Sequence, residues 1–133
     1  MSYLFDSSSI FKAIKSNTIE VLTGNYTLEI ARYELGNILW KERSIFRRID
    51  DDELEGLVRL VKKTLNLLKV LNIECHEEEI AKLAKDLKIT FYDASYTFHS
   101  KEMNLKLITE DKELKAKIKN QVKTLSLNEI VKL

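Results

Sequence analysis

Four carboxylates stand at places in this sequence where chemistry is possible: Asp6, Glu34, Asp93 and Asp111. Asp6 closes the apolar run Tyr3-Leu4-Phe5 and precedes Ser7-Ser8-Ser9. Asp111 follows Leu105-Lys106-Leu107-Ile108-Thr109-Glu110, and Asp93 lies three residues after Thr90. Each of these three can serve a helix start, where a carboxylate meets free backbone amides and the positive helix end. Glu34 has no such explanation. Ile30 and Ile38 lie four residues to either side of it, with Ala31 and Leu35 close by, so helical register puts its carboxylate on or at the edge of an apolar face. Burying a carboxylate there costs several kcal/mol unless it is paired or bound to a cation. A buried ion pair with Arg32, Arg43 or Arg59 is one solution, and a cation-ligand role is the other and the better fit.

Taken together, the four acids point to a metal. Carboxylates gathered within a few ångströms repel one another strongly even at an effective dielectric of about 20. Such a cluster either retains protons or neutralises itself with a divalent cation. Oxygen-only ligands select Mg²⁺ or Mn²⁺ over zinc.

The elements that must position these acids read as strands alternating with helices. Tyr3–Phe5 predicts a strand, and Ile10, Phe11 and Ile14 begin a helical pattern. Gly24-Asn25 signals a turn. Leu28, Ala31, Leu35, Ile38 and Leu39 then recur at helical spacing through Trp40. Asp50-Asp51-Asp52 supplies acids for a helix start, and Leu54, Leu57, Val58, Val61, Leu65 and Leu68 make one stripe, which Leu60, Leu67 and Leu71 widen. Helices are expected over 77–87 and from Thr90 to about Met103. A strand follows at 105–108, a helix around Leu114 and Ile118, a strand within 121–125, and a short terminal helix opened by Ser126-Leu127-Asn128-Glu129. The alternation predicts an α/β domain with a mainly parallel sheet and helices on both faces. Ligands in such sheets sit beyond the carboxyl ends of the strands, which is where Asp6 and Asp111 fall.

Bulk properties set the frame. The 133 residues suit one domain, 1–133, burying roughly two-thirds of its unfolded surface. Hydrophobic residues make up 44% and charged residues 32%, as in a globular protein. A net charge of +1 leaves any nucleic-acid contact to local basic clusters. The lone Cys75 excludes an internal disulfide and suits a reducing, cytoplasmic setting. The first residues carry an acid at position 6 and no long apolar run, so neither signal peptide nor membrane span is expected.

Four segments together resemble the PIN domain, and especially the VapC-type toxins of toxin–antitoxin pairs. They are Tyr3-Leu4-Phe5-Asp6-Ser7-Ser8, Tyr33-Glu34-Leu35-Gly36-Asn37-Ile38-Leu39-Trp40, Tyr92-Asp93-Ala94-Ser95-Tyr96 and Leu107-Ile108-Thr109-Glu110-Asp111, in the family's order over nearly the whole chain. The resemblance implies a three-layer α/β/α fold and a Mg²⁺- or Mn²⁺-dependent endoribonuclease. By position, Asp6, Glu34 and Asp93 match the family's three core acids and Asp111 the fourth, after Thr109; Glu110 is a possible substitute. Ser7 or Ser8 matches the small polar residue beside the first aspartate. The implied chemistry is in-line attack on an RNA phosphodiester by a metal-activated water. A homodimer and a cognate antitoxin that blocks the acidic groove are also implied.

An acidic site repels phosphate, so substrate attraction needs cations. Arg43, Arg47 and Arg48 form the densest basic cluster, and Lys112, Lys115, Lys117 and Lys119 follow Asp111. For each cluster a solvated helix face is the plainer reading. No ladder of aromatic residues suggests base stacking. Cys75 beside His76 reads as inert, His99 as structural, and Trp40 as core or interface. The widened leucine stripe predicts a second contact surface, buried by a homodimer or a partner helix. Competing functions are a PIN nuclease of RNA processing, a non-catalytic PIN-like scaffold for RNA or protein, and a phospho-accepting receiver domain. The last expects paired acids near the first strand and a late strand-end lysine, a combination poorly met here.

Overall fold

Alternation along two central strands builds the layers. In β1 (Tyr3–Phe5), Leu4 and Phe5 point to opposite faces, and in β4 (Lys106–Ile108) so do Leu107 and Ile108. All four are fully buried. Phe5 and Ile108 pack against Ile10, Ala31, Leu35, Leu39 and Leu65, whereas Leu4 and Leu107 pack against Tyr96, Leu114 and Ile118. A sheet apolar on both faces needs helices on both, and it has them.

A computed structural model describes residues 2–131. Its first helix, α1 (Ser7–Lys15), starts directly behind β1. A 3-10 turn at Ile19–Leu22 and Gly24, at φ +79°, lead into β2 (Tyr26–Leu28). Then come α2 (Ile30–Ser44), α3 (Asp51–Asn66) and β3 (Lys69–Leu71). The chain continues through α4 (Glu77–Leu87), α5 (Phe91–Glu102), β4, α6 (Lys112–Ile118), β5 (Thr124–Leu125) and α7 (Leu127–Val131). The strands pair in parallel in the order β3-β2-β1-β4-β5, with Leu4 opposite Tyr26 and Leu107. Helices α1, α2, α3 and α7 cover one face, and α5 and α6 the other, with α4 packed on α5. This is the three-layer α/β/α arrangement expected. No described helix is long and apolar enough to cross a membrane.

Two strands depart from the expectation. Leu28 belongs to β2 rather than to the helical pattern that follows it, and Leu71 belongs to β3 rather than to the stripe of α3. Three-residue strands are too short to show period two, so neighbouring helical periodicity absorbed their leucines. The second contact surface expected from Leu60, Leu67 and Leu71 is thereby dismantled. Leu60 packs against the main core, Leu71 packs against the opposite one, and Leu67 ends α3 half-buried.

Candidate metal centre

Asp6 is both a cap and a buried charge. It precedes α1, and its Oδ1 accepts the Ser9 amide at 3.0 Å and the Ser8 hydroxyl at 2.6 Å. Thr109 adds a further side-chain hydrogen bond. The Ser8 oxygen in turn accepts the Glu110 amide at 3.0 Å, which laces the end of β1 to the end of β4. Asp6 is 6% exposed. Burial pushes its carboxyl above the ordinary value of 3.8 even though four hydrogen bonds favour the charged form.

Glu34 sits on the second turn of α2, half-buried, and faces the same region. The buried Tyr96 of α5 donates its hydroxyl to Glu34 Oε1 at 2.8 Å, and Ser7 supplies a second side-chain bond. Burial raises the Glu34 pKa first; those two bonds lower it, and the charges of Asp6 and Asp93 raise it further. The Tyr96 phenol is pushed far up by burial and by Glu34, so it remains a donor at any ordinary pH. None of the three arginines considered above pairs with Glu34. Arg32 binds Glu29 at 2.9 Å, Arg43 binds Asp51 at 2.6 Å, and Arg59 binds Glu55. Among the described residues no salt bridge reaches Glu34.

Asp93 is the third residue of α5. Thr90 caps that helix by accepting the Asp93 amide at 3.0 Å, and it also bonds the Asp93 carboxylate. Burial is the main cause that raises the Asp93 pKa; the Asp111 charge adds to it, and Lys117 opposes it. Asp111 is exposed and caps α6 through Leu114 N at 3.1 Å, while its own amide donates to Thr109 Oγ1 at 3.1 Å. Asp93 and Asp111 line one cavity of about 210 Å³ with Lys88 and Lys117. Asp6 and Asp111 thus each cap a helix, a role that leaves room for a ligand role in the same carboxylate.

Glu110 is engaged elsewhere. Its Oε1 meets Lys12 Nζ at 3.0 Å, and its Oε2 accepts the Leu127 amide at 2.8 Å, so it anchors α7 rather than standing in for Asp111. Of the basic residues named above, Lys117 lines the cavity of Asp93 and Asp111, while Arg43 and Arg48 are committed to ion pairs. Arg43 lies nine residues beyond Glu34 on α2, roughly 14 Å along the axis. Arg48 pairs with Glu42 at 3.0 Å and lies over the Phe46 ring, and Arg47 and Lys112 are exposed.

The donor set fits a divalent cation in kind. It consists of carboxylate oxygens from Asp6, Glu34 and Asp93, without a countercharge on the first two, and Asp111 beside Asp93. In spacing it is open. Among the described residues no three acids stand close enough to clasp an ion at once. A cation at this position would be bound partly through its own water molecules.

The family model described as PIN domain matches residues 1–120. This chain belongs to the PIN-domain family. Its relatives include a protein named Exonuclease VapC9 of Pyrobaculum aerophilum, 33% identical over 92% of this chain and 90% of the relative. Ribonuclease VapC3 of the same organism is 31% identical over 69% and 70%. Among solved structures, PAE2754 from Pyrobaculum aerophilum superposes with a TM-score of 0.81 at 30% identity, covering 98% of this chain and 94% of that one. A toxin–antitoxin complex from Klebsiella pneumoniae gives 0.62 at 17% over 86% and 91%, a likeness of fold.

Within this PIN fold, Tyr96 was not singled out from the sequence as a site residue, and neither was Ser9. The signal for Tyr96 was its position three residues after Asp93, one helical turn along the same face. Ser9 bonds the Asp6 and Ile108 carbonyls at 3.0 and 2.8 Å and so ties the two central strands together. Both serines left as alternatives are used, Ser8 for Asp6 and Ser7 for Glu34. His99 is structural, with its nitrogens 2.9 and 3.2 Å from the carbonyls of Ser95 and Asn72.

Proposed function

We propose that this PIN-domain protein is a Mg²⁺- or Mn²⁺-dependent endoribonuclease and the toxin of a toxin–antitoxin pair. The observation that carries the reading is Glu34: a half-buried carboxylate beside Asp6 and Asp93, held by the Tyr96 and Ser7 hydroxyls and by no basic partner, is an arrangement that a bound cation would stabilise. Asp6, Glu34 and Asp93 would hold the ion, directly or through water, with Asp111 completing the site. When bound, the ion supplies charge stabilisation for a phosphodiester and lowers the pKa of water. Tyr96 and Ser7 orient Glu34, while Ser8, Ser9 and Thr109 orient Asp6, so each of these two carboxylates is held in place by its own neighbours. Lys117, beside Asp93, is the cation best placed to meet a phosphate.

The names of the two curated relatives support nuclease activity, and one of them supports RNA as substrate. The other is called an exonuclease, which favours a second reading, cleavage from a chain end. A circular RNA separates the two, because only an endonuclease opens it. The partner reading rests on apolar residues left exposed on α2, on α3 and between them: Trp40, Ile45, Phe46 and Val58, each about half exposed. An antitoxin segment or a second copy in a homodimer would cover them. A cytoplasmic setting agrees with the exposed free thiol of Cys75.

The test is Mn²⁺ titration of the purified protein, followed by melting temperature and cleavage of single-stranded RNA. Binding that raises the melting temperature, and cleavage that appears with it, are expected; both vanish in Asp6→Asn. A protein that binds no metal at millimolar concentration would turn the reading toward a non-catalytic scaffold. A neighbouring gene for a small antitoxin separates the toxin from a nuclease of RNA processing.

A further inference from the structure

Two exposed tyrosines stand one residue before two of the site acids, Tyr33 before Glu34 and Tyr92 before Asp93. They are 71% and 54% exposed. They come from different helices, the first turns of α2 and α5, yet both line one cavity of about 210 Å³ beyond the carboxyl ends of β2 and β3. Leu28, Ile30, Leu71 and Phe91 complete an apolar lining, with Glu29 and Asn72 as polar members. Bulky phenol rings in water serve no packing purpose in the isolated chain. They stand at the helix starts that also carry Glu34 and Asp93, so the cavity lies next to the acids along both backbones and opens on a different face of each helix.

We infer that this cavity is a nucleobase subsite, in which one unpaired base of the RNA stacks on Tyr33 or Tyr92 while its neighbouring phosphate lies at the acids. The inference rests on the nuclease reading above. Three properties select the occupant. The cavity is smaller than the roughly 300–1,000 Å³ of a drug-sized pocket, so it takes one planar ring rather than a helix. Its walls are apolar and aromatic, as base faces require, and Asn72 offers its side-chain amide to a base edge, while Glu29 is paired with Arg32. Its position ties it to the acids by adjacent residues on two elements. A base reaches such a cavity only when unstacked, so the substrate is single-stranded at the cut.

The test measures binding of a fluorescent single-stranded oligoribonucleotide and of the same backbone with abasic sites. Stacking predicts that the parent binds the intact strand roughly 5- to 150-fold more tightly than the abasic one. Tyr33→Ala and Tyr92→Ala should remove most of that difference while binding the abasic strand as the parent does. Tyr33→Phe and Tyr92→Phe should keep it, because the ring and not the hydroxyl stacks. Both positions are exposed, so the variants should fold as the parent does, which circular dichroism verifies. Equal binding of the two strands by the parent, or intact-strand affinity unchanged in both alanine variants, overturns the subsite; the tyrosines would then serve a protein partner. Cleavage is followed in parallel: a parent that cuts RNA with Mn²⁺ while the alanine variants cut equally well overturns only the subsite. A parent that neither binds nor cuts RNA overturns the nuclease reading, and the subsite with it.

Discussion

Charge is handled in opposite ways at the carboxyl ends of the central strands and at the far end of α2. Around Asp6 and Glu34, acids are buried or half-buried, their pKa values are raised, and their partners are hydroxyls and amides rather than cations. Around Arg43 and Arg48, each cation has a carboxylate within 3.0 Å, and Arg48 lies largely in solvent. The second region is locally balanced, as ordinary surfaces are. The first carries an excess of negative charge that the fold itself does not cancel. Maintaining that excess costs stability, and such perturbed groups cluster at functional sites.

The contrast can be broken most decisively at Asp6. Asp6→Asn preserves the cap of α1, because asparagine caps as well as aspartate. It should still lower metal-dependent RNA cleavage by roughly 100-fold or more, beyond the usual effect of a supporting residue. Cleavage at the parental rate by folded Asp6→Asn protein would show that the buried charge is only structural. Tyr96→Phe removes a hydroxyl and leaves the ring in place. Mn²⁺ affinity and cleavage should fall about 10- to 100-fold, with only about 1 kcal/mol lost from stability in chemical denaturation.

A pH series sharpens the same contrast. Asp6, Glu34 and Asp93 all have folded pKa values raised above the ordinary 3.8, 4.5 and 3.8. The folded state then holds protons that the unfolded state has released, so the contribution of these groups is fully present below those ordinary values. It is lost as pH rises through the raised ones. Denaturation of metal-free protein should show this decline as a difference between parent and Asp6→Asn, and saturating Mn²⁺ should abolish it. A difference that does not change with pH contradicts the assignment.

Glu110 offers a control next to the site. Glu110→Ala should cost about 1–2 kcal/mol by releasing Lys12 and the Leu127 amide, yet leave the Mn²⁺ affinity unchanged. Loss of metal binding would place Glu110 back among the ligands. The smallest effect is expected at Arg48→Ala, below about 1 kcal/mol because the Glu42 pair is exposed. A steep loss of RNA affinity there, with a shallower salt dependence, would instead make the far end of α2 a phosphate contact.

Much of this was legible in the sequence, and what was not has physical reasons. Glu34 announced itself because a carboxylate within apolar helical spacing violates the pattern of its own helix. Asp6, Asp93 and Asp111 were legible as helix starts, and the structure keeps each of them near that role while bringing Asp6 and Asp93 toward Glu34 and Asp111 toward Asp93. Their mutual approach depends on strand order, which no local pattern encodes. β2 and β3 escaped because three residues flanked by helices carry almost no period of their own. Tyr33 and Tyr92 escaped because a stacking surface built by two helices has no linear motif, and a search for an aromatic ladder along the chain overlooks it.

The central position of β1 has a consequence for when this protein can act. Its partner β4 enters the chain about a hundred residues later, with Tyr3 opposite Lys106. The acids at positions 6, 34, 93 and 111 come from four separate stretches of sequence. Contacts of such wide separation form late, since a long loop must close before any of them is gained. A chain cut short before β4 therefore carries Asp6, Glu34 and Asp93 without the strand that completes their arrangement.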